Sequence, residues 1–265
     1  MKPRAGTLSR AYNIEPAAIL IDKHRSLTYP HQTRFGSAAL EITDGVFCPT
    51  LTRVSPLLRD AIKYVEGGTV LDAFTGSGAF AIDAALNGAA RVLGFDFDPL
   101  AVACARDNVL RNSVETIVDI ELGTARDVLR RCGSFDLVIA NPPLLPGSPR
   151  GYLRSAIFDP ALRTTVDLVK RLPGLLEPDG RCYMATSDVL DRNGIDLKRL
   201  CADSGLTCTI QTEDEREHET YRIHLIKLDP NLLRRRRSRR PVVNRQRSFL
   251  EAVDLLSPAR RHRVR

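Results

Sequence analysis

Short apolar runs separated by glycine turns and helical stretches set the grain of this chain. Runs at 69–72, 91–96, 117–121, 135–140, 181–186, 206–211 and 221–227 are expected as strands. Ala79 to Leu86 has helical character. Pro99 to Asn108 reads as a helix with small apolar residues on one face and its proline in the first turn, where a missing N–H costs little. Strands alternating with helices imply an α/β fold with a parallel, doubly wound sheet. The last two runs, LTCTIQ and YRIHLIK, can pair antiparallel at its edge.

Residues 1–55 have a different texture. Ile14 to Asp22 suggests a short helix or strand, Tyr29-Pro30-His31 a break, and Phe35 to Phe47 a hairpin around Thr43-Asp44-Gly45. We expect a small lid or substrate-facing extension, in which Arg34, Phe35 and Phe47 face either a substrate or the core.

Ligands of such sheets bind at the C-terminal ends of the parallel strands. Three loops fall there. The first, Asp72 to Gly78 (DAFTGSG), is a strand–glycine turn–helix junction with two glycines, Ala81 filling the third slot of a GxGxxG pattern. Asp96 ends the next strand, 24 residues after Asp72, where an acid can accept hydrogen bonds from ribose hydroxyls. Asp98 is its rival, and Asp96 is preferred because it follows the apolar run directly. The third loop is Asn141-Pro142-Pro143-Leu144, whose two prolines rigidify the turn.

The third loop resembles the NPPY motif of class I S-adenosylmethionine-dependent N-methyltransferases. The longer NPPLLP is similar to the NPPYIP of the HemK/PrmC family, which methylates a glutamine amide of peptide-release factors. Asp159-Pro160-Ala161-Leu162, the turn Leu175 to Gly180, and Gly45 to Thr50 resemble further segments of that family, so the likeness covers about residues 35–228. It implies a Rossmann-like class I methyltransferase, with a seven-stranded, mostly parallel sheet closed by an antiparallel pair. It implies S-adenosyl-L-methionine as cofactor. Asp72 and the Phe74–Gly78 loop (Phe74, Thr75, Gly76, Gly78) would hold its methionine portion, Asp96 with Phe97 the ribose side, and Thr124 or Ala125 the adenine. Many relatives carry an adenine-binding acid in that last segment, and Thr124 or Asp127 is the candidate replacement. Asn141 and Pro142 would accept the N–H groups of an acceptor nitrogen and aim its lone pair, with Pro143 and Leu144 completing the catalytic loop. Leu144 departs from the family's aromatic residue and removes a stacking surface.

Charge divides the chain. From Pro230 onward, twelve arginines stand against Glu251 and Asp254, a net +10, while the whole chain is +7. The basicity therefore belongs to the tail, and the run 234–240 (RRRRSRR) is suited to a polyanion or to solvation. The expected organisation is an extension at 1–55, the methyltransferase domain at 56–229 and an Arg-rich tail at 230–265. Residues 213–219 (EDEREHE) read either as a substrate-facing acidic loop or as a solvated hairpin tip near the arginine tail, with the tip preferred. Six cysteines without CxxC spacing are expected as small core residues, and five scattered histidines suggest no metal site. No signal peptide and no 18-residue apolar run is visible, so a reducing cytoplasm is the expected home.

The reading is an S-adenosylmethionine-dependent N-methyltransferase with three acceptor classes open. NPPLLP favours a protein amide, the arginine tail an RNA base amine, and Leu144 a small-molecule amine. The acceptor atom, nitrogen or oxygen, stays open, and the non-enzymatic alternative is a cofactor-binding RNA or assembly factor.

Overall fold

The chain folds around one seven-stranded sheet preceded by a helix and a hairpin. The structure, a computed structural model, describes residues 15–147, 152–217 and 219–231. Helix α1 (Glu15–Arg25) leads into strands β1 (His31–Phe35) and β2 (Ala38–Ile42), then α2 (Val54–Ala61). The alternating core follows: β3 (Thr69–Ala73), α3 (Ala79–Leu86), β4 (Arg91–Asp96), α4 (Pro99–Arg111), β5 (Val118–Leu122), α5 (Ala125–Arg131) and β6 (Phe135–Ala140). Two short strands, β7 (Leu145–Pro146) and β8 (Phe158–Asp159), flank α6 (Tyr152–Ser155). Last come α7 (Arg163–Leu175), β9 (Leu176–Ser187), α8 (Val189–Arg192), α9 (Leu197–Asp203), β10 (Leu206–Glu215) and β11 (Thr220–Leu228). The sheet order is β10-β11-β9-β6-β3-β4-β5, with β11 antiparallel to both neighbours and the other pairs parallel.

Strands β3, β4 and β6 are buried on both faces, which is why they read as continuous apolar runs. One face packs Val70, Leu137, Ile139 and Tyr183 against α2, α3, α4 and the amino-terminal hairpin. The other packs Leu71, Phe95, Val138 and Met184 against α5, α7 and α9. Cys48, Cys104, Cys182 and Cys201 are buried, and Cys132 and Cys208 are half-buried.

Several boundaries differ from expectation. The amino-terminal hairpin does not turn at Thr43-Asp44-Gly45; it turns at Gly36-Ser37, and residues 43–45 follow β2. Buried Ala38, Leu40 and Ile42 fix the alternation of β2, and Gly36 takes the positive φ (+58°) of the turn. The outer edge of β2 is covered by α4: Asn108 Oδ1 accepts from Glu41 N at 2.8 Å and Asn112 Oδ1 from Ala39 N at 2.9 Å. The segment Ile14–Asp22, open between helix and strand, lies in α1 from Glu15 onward. Strand β9 begins at Leu176, before the expected turn ends, because Leu176 pairs with Phe135 ahead of a register shift to Leu137–Arg181. The acidic stretch begins as strand: Glu213, Asp214 and Glu215 pair with Arg222, Tyr221 and Thr220.

Candidate functional site

The C-terminal ends of β3, β4 and β6 open into one cavity of about 450 Å³, within the usual range for small-molecule sites. Its first wall is the loop after β3. Phe74 leaves the strand at φ 66°, its ring set edge-on to Phe95 at 5.5 Å, and Gly76 follows at φ 54° with open space where a Cβ would sit. Asp72 lies beneath this loop and does not line the cavity. It is 1% exposed, and its Oδ2 accepts from Thr75 Oγ1 at 2.6 Å and from Ala81 N at 3.0 Å, at the start of α3. Asp72, expected with the Phe74–Gly78 loop to hold the methionine portion, thus sits behind that loop and braces it through Thr75 and Ala81. Burial pushes its pKa up to about 7. Gly78 is likewise away from the cavity; a Cβ there would meet Ala105 Cβ at 3.1 Å, so it serves the close approach of α3 and α4.

Asp96 and Asp98 have separate tasks. Asp98 Oδ1 accepts from Leu100 N at 2.8 Å and caps α4. Asp96 holds the loops, accepting from Gly76 N at 2.9 Å on Oδ2 and from Asp98 N at 3.0 Å on Oδ1. The carboxylate keeps acceptor capacity for a ligand hydroxyl. Burial raises the pKa of Asp96. Phe97, 50% exposed, gives the cavity an apolar shelf beside it, and Gly123, Thr124 and Ala125 continue that wall. Thr124 caps α5 and is bonded to Asp127, whose side chain is exposed and off the cavity. Of Thr124 and Asp127, Thr124 is the one that lines the cavity. A glycine turn with a free approach, a buried acid with spare acceptor capacity and a flat apolar shelf fit the methionine, ribose and adenine parts of S-adenosylmethionine in turn.

At the opposite end stand Asn141, Pro142, Pro143 and Leu144, all lining the cavity. The orientation of Asn141 follows from a one-way chain of hydrogen bonds. The Pro49 carbonyl can only accept, so Thr52 Oγ1 donates to it, at 3.2 Å. With its proton spent, Thr52 Oγ1 accepts from Ser55 Oγ at 3.0 Å. Ser55 Oγ in turn accepts from Asn141 Nδ2 at 3.1 Å. Asn141 Oδ1 is left buried with no hydrogen-bond partner among the described residues. No motif marks Ser55 or Thr52 for this role.

The rest of the wall comes from distant segments. Ala17 and Leu20 of α1 line the cavity, with Phe47. His24 latches α1 in place: its Nδ1 lies 2.8 Å from Leu20 O and its Nε2 accepts from Cys48 N at 2.9 Å, the pattern of a neutral ring. Its pKa is lowered by burial. Of the three extension residues considered, only Phe47 faces the cavity; Phe35 is core, edge-on to Phe80 at 4.9 Å, and Arg34 bonds to Ser37 O at 3.0 Å. Asp159, Arg163, Thr164 and Arg171 contribute from β8 and α7, and Glu219 and Tyr221 from the start of β11. The preferred reading of 213–219 as a solvated tip fits Arg216 and Glu217, exposed between β10 and β11, but not Glu213 to Glu215, which are strand, nor Glu219, which is 9% exposed. The arginine run 234–240 and His218 lie outside the described residues. Among the described residues no cluster of ligands for a metal occurs, and no helix is long and apolar enough to cross a membrane.

Residues 54–142 match the family model of the ribosomal protein L11 methyltransferases (PrmA). This is a different branch from the HemK/PrmC one that NPPLLP resembles. The chain is 38% identical over 109 residues to the ribosomal protein L11 methyltransferase of Alkaliphilus oremlandii, an alignment covering 40% of this chain and 34% of that protein. The chain thus spans about a third of the length of the curated relatives it matches. Among solved structures, the tRNA m1G37 methyltransferase of M. jannaschii superposes with a TM-score of 0.53 at 17% identity, over 75% of this chain and 54% of that one. SMU.776, solved in complex with SAH, superposes with a TM-score of 0.52 at 13% identity, over 75% of this chain and 57% of that one. The fold is the Rossmann-like methyltransferase fold, with its seven-stranded sheet and antiparallel closing pair.

Proposed function

We propose that this protein is an S-adenosylmethionine-dependent methyltransferase that acts on a nitrogen atom of a protein substrate. The observation that carries the reading is Asn141 Oδ1, a buried acceptor without a donor among the described residues, in the wall of the same cavity that Asp96 and the Gly76 loop close at the other end. When bound, the cofactor supplies an electrophilic methyl group. The chain's own residues do the rest. Asp96 accepts hydroxyl protons, Phe97 covers an apolar face, and the loop braced by Asp72 sets the approach. Asn141 Oδ1 and the Pro142 carbonyl accept N–H bonds from the acceptor and so direct its lone pair. No proton has to move for this alignment, and rate comes from positioning. The match of residues 54–142 to the ribosomal protein L11 methyltransferases supports a protein as acceptor. The NPPLLP string supports, within that class, an amide nitrogen as in the HemK-like branch.

A second reading, an RNA base amine, is favoured by Arg126, Arg163 and Arg171 on the cavity wall and by the arginine run 234–240. Deleting residues 230–265 separates the two: RNA binding would weaken steeply and with a strong salt dependence, while transfer to a peptide would change little. The primary test is calorimetric titration with S-adenosylmethionine and S-adenosylhomocysteine, followed by transfer of labelled methyl to peptides and RNA. Absence of binding to the full chain would remove the reading.

A further inference from the structure

Three cysteines and a histidine gather away from the cavity, on the antiparallel side of the sheet. Strand pairing explains how. Ile226 of β11 pairs with Cys208 of β10 on one side and with Cys182 of β9 on the other, so the three side chains share one face. His224, two residues before Ile226, lies on that face as well. Cys201 reaches it from α9, which turns into β10 through Ser204-Gly205. Cys182, Cys201 and Ile226 pack in one layer, and Cys208 packs against it.

Cys208 has the surroundings of a reactive thiol. Its Sγ lies 3.5 Å from His224 Nδ1, and Thr186 Oγ1 lies 2.9 Å from His224 Nε2. The ring can take the thiol proton on one nitrogen while Thr186 accepts from the other. The Cys201 thiol donates to the Cys208 sulfur, and this bond, with His224 and Lys198, holds the Cys208 pKa below its usual value against the effect of burial. The same bond, with burial, keeps Cys201 protonated. Cys182 is also held protonated, by burial. Cys132, the other half-buried cysteine, gives the contrast: burial dominates there and pushes its pKa up to about 11, in spite of Arg131. Cys208 stands half-buried on β10, the edge strand, where a small reagent can reach it.

We propose that Cys208 and Cys201 form a reversible, peroxide-sensitive thiol pair, with Cys208 as the attacking sulfur, Cys201 as the resolving one and His224 as the proton acceptor. The pair is independent of the methyltransferase reading. The Cys208 proton passes to His224, and the thiolate attacks one oxygen of a hydroperoxide. An S–O bond forms, the O–O bond breaks, and the departing oxygen leaves with the proton held by His224. Cys208 is then a sulfenic acid. The Cys201 sulfur displaces its hydroxyl: an S–S bond forms, the S–O bond breaks, and the hydroxide takes the Cys201 proton as water. Two thiols are oxidised to one disulfide, and the peroxide is reduced.

The test uses the full, reduced chain, with iodoacetamide alkylation followed at each cysteine by peptide mass mapping. At neutral pH, Cys208 should react about tenfold or more faster than Cys132, and its rate should level off with rising pH while that of Cys132 still climbs. His224→Asn should slow Cys208 about tenfold. One equivalent of hydrogen peroxide should link the peptides carrying Cys201 and Cys208, with the loss of two hydrogens, and dithiothreitol should restore both thiols. In Cys201→Ala the same dose should leave a sulfenic acid on Cys208, trapped by dimedone. Cys208 reacting no faster than Cys132, a rate unchanged in His224→Asn, or peroxide linking Cys208 to Cys182 or to nothing overturns the proposal. Should His224→Asn fail to fold, the two wild-type measurements still decide.

Discussion

The two ends of the cavity were assembled in different ways. The end proposed for the cofactor is built from residues 74–77, 95–98 and 123–126, each loop following one strand of a local β–α–β run. The acceptor end gathers Leu20, Phe47, Asn141, Arg163 and Glu219, which are spread over 200 residues of chain. Short-range order fixes the first, because each loop inherits its place from the strand before it. Long-range packing fixes the second, and it is there that the chain departs from the segment shared with the L11 methyltransferases.

Substitutions should separate the two ends. Asn141→Ala should have the largest effect, a loss of methyl transfer of roughly 10²–10³-fold, comparable to removal of a single preorganised polar group in other active sites. Cofactor affinity, by calorimetry, should stay within about threefold. Asp96→Ala should do the reverse, weakening S-adenosylhomocysteine by about 50-fold or more, since it removes ligand contacts and the anchor of Gly76 N and Asp98 N together.

The brace under the cofactor end can be read through pH. Burial raises the Asp72 pKa from 3.8 to about 7, so the native state favours the protonated acid. Its contribution is fully present below about pH 4 and is lost as pH rises through about 7. Asp72→Asn keeps an acceptor and a neutral side chain throughout. Denaturant titrations should find this variant gaining on wild type across that window, by up to roughly 3–4 kcal/mol. A constant difference between pH 4 and 8 would show that Asp72 does not titrate as a buried acid.

Smaller effects are expected at the acceptor end. Ser55→Ala removes the acceptor for Asn141 Nδ2 and should lower kcat by about tenfold, the worth of one hydrogen bond, with cofactor affinity unchanged. The His24 latch should be the mildest. Its pKa is lowered from 6.5, so its contribution is present above about that pH and lost as the pH falls further. A second ring proton would face Cys48 N–H, and limited proteolysis should cut near α1 faster at pH 5 than at pH 7.5. Equal rates would mean that α1 is held by Ala17 and Ile21 alone.

The contrast also explains what could be read in advance. The strand–loop–helix rhythm, the Asp96 position and the Asn-Pro-Pro turn were legible because each is written in adjacent residues. Asp72 was legible as part of the motif, but its bonds were not, since the Thr75 hydroxyl and Ala81 N–H become its neighbours only when the loop closes. Glu219 was hidden by the acids around it. One signal was present: Glu219, Tyr221, Ile223 and Leu225 alternate with Thr220, Arg222 and His224, which sets a charge in line with an apolar face. Ser55 and Thr52 carry no such mark, because a hydroxyl at a helix start is ordinarily a cap.

The hydroxyl chain from Pro49 to Asn141 has a kinetic consequence. Turning the Asn141 amide by half a revolution would face two acceptors at Ser55 or force all the rotors to reset against a carbonyl that cannot reverse. The amide therefore behaves as a valve with one seated position, set by the Pro49 carbonyl at the far end of the chain. An arriving acceptor meets a dipole that does not have to wait for it.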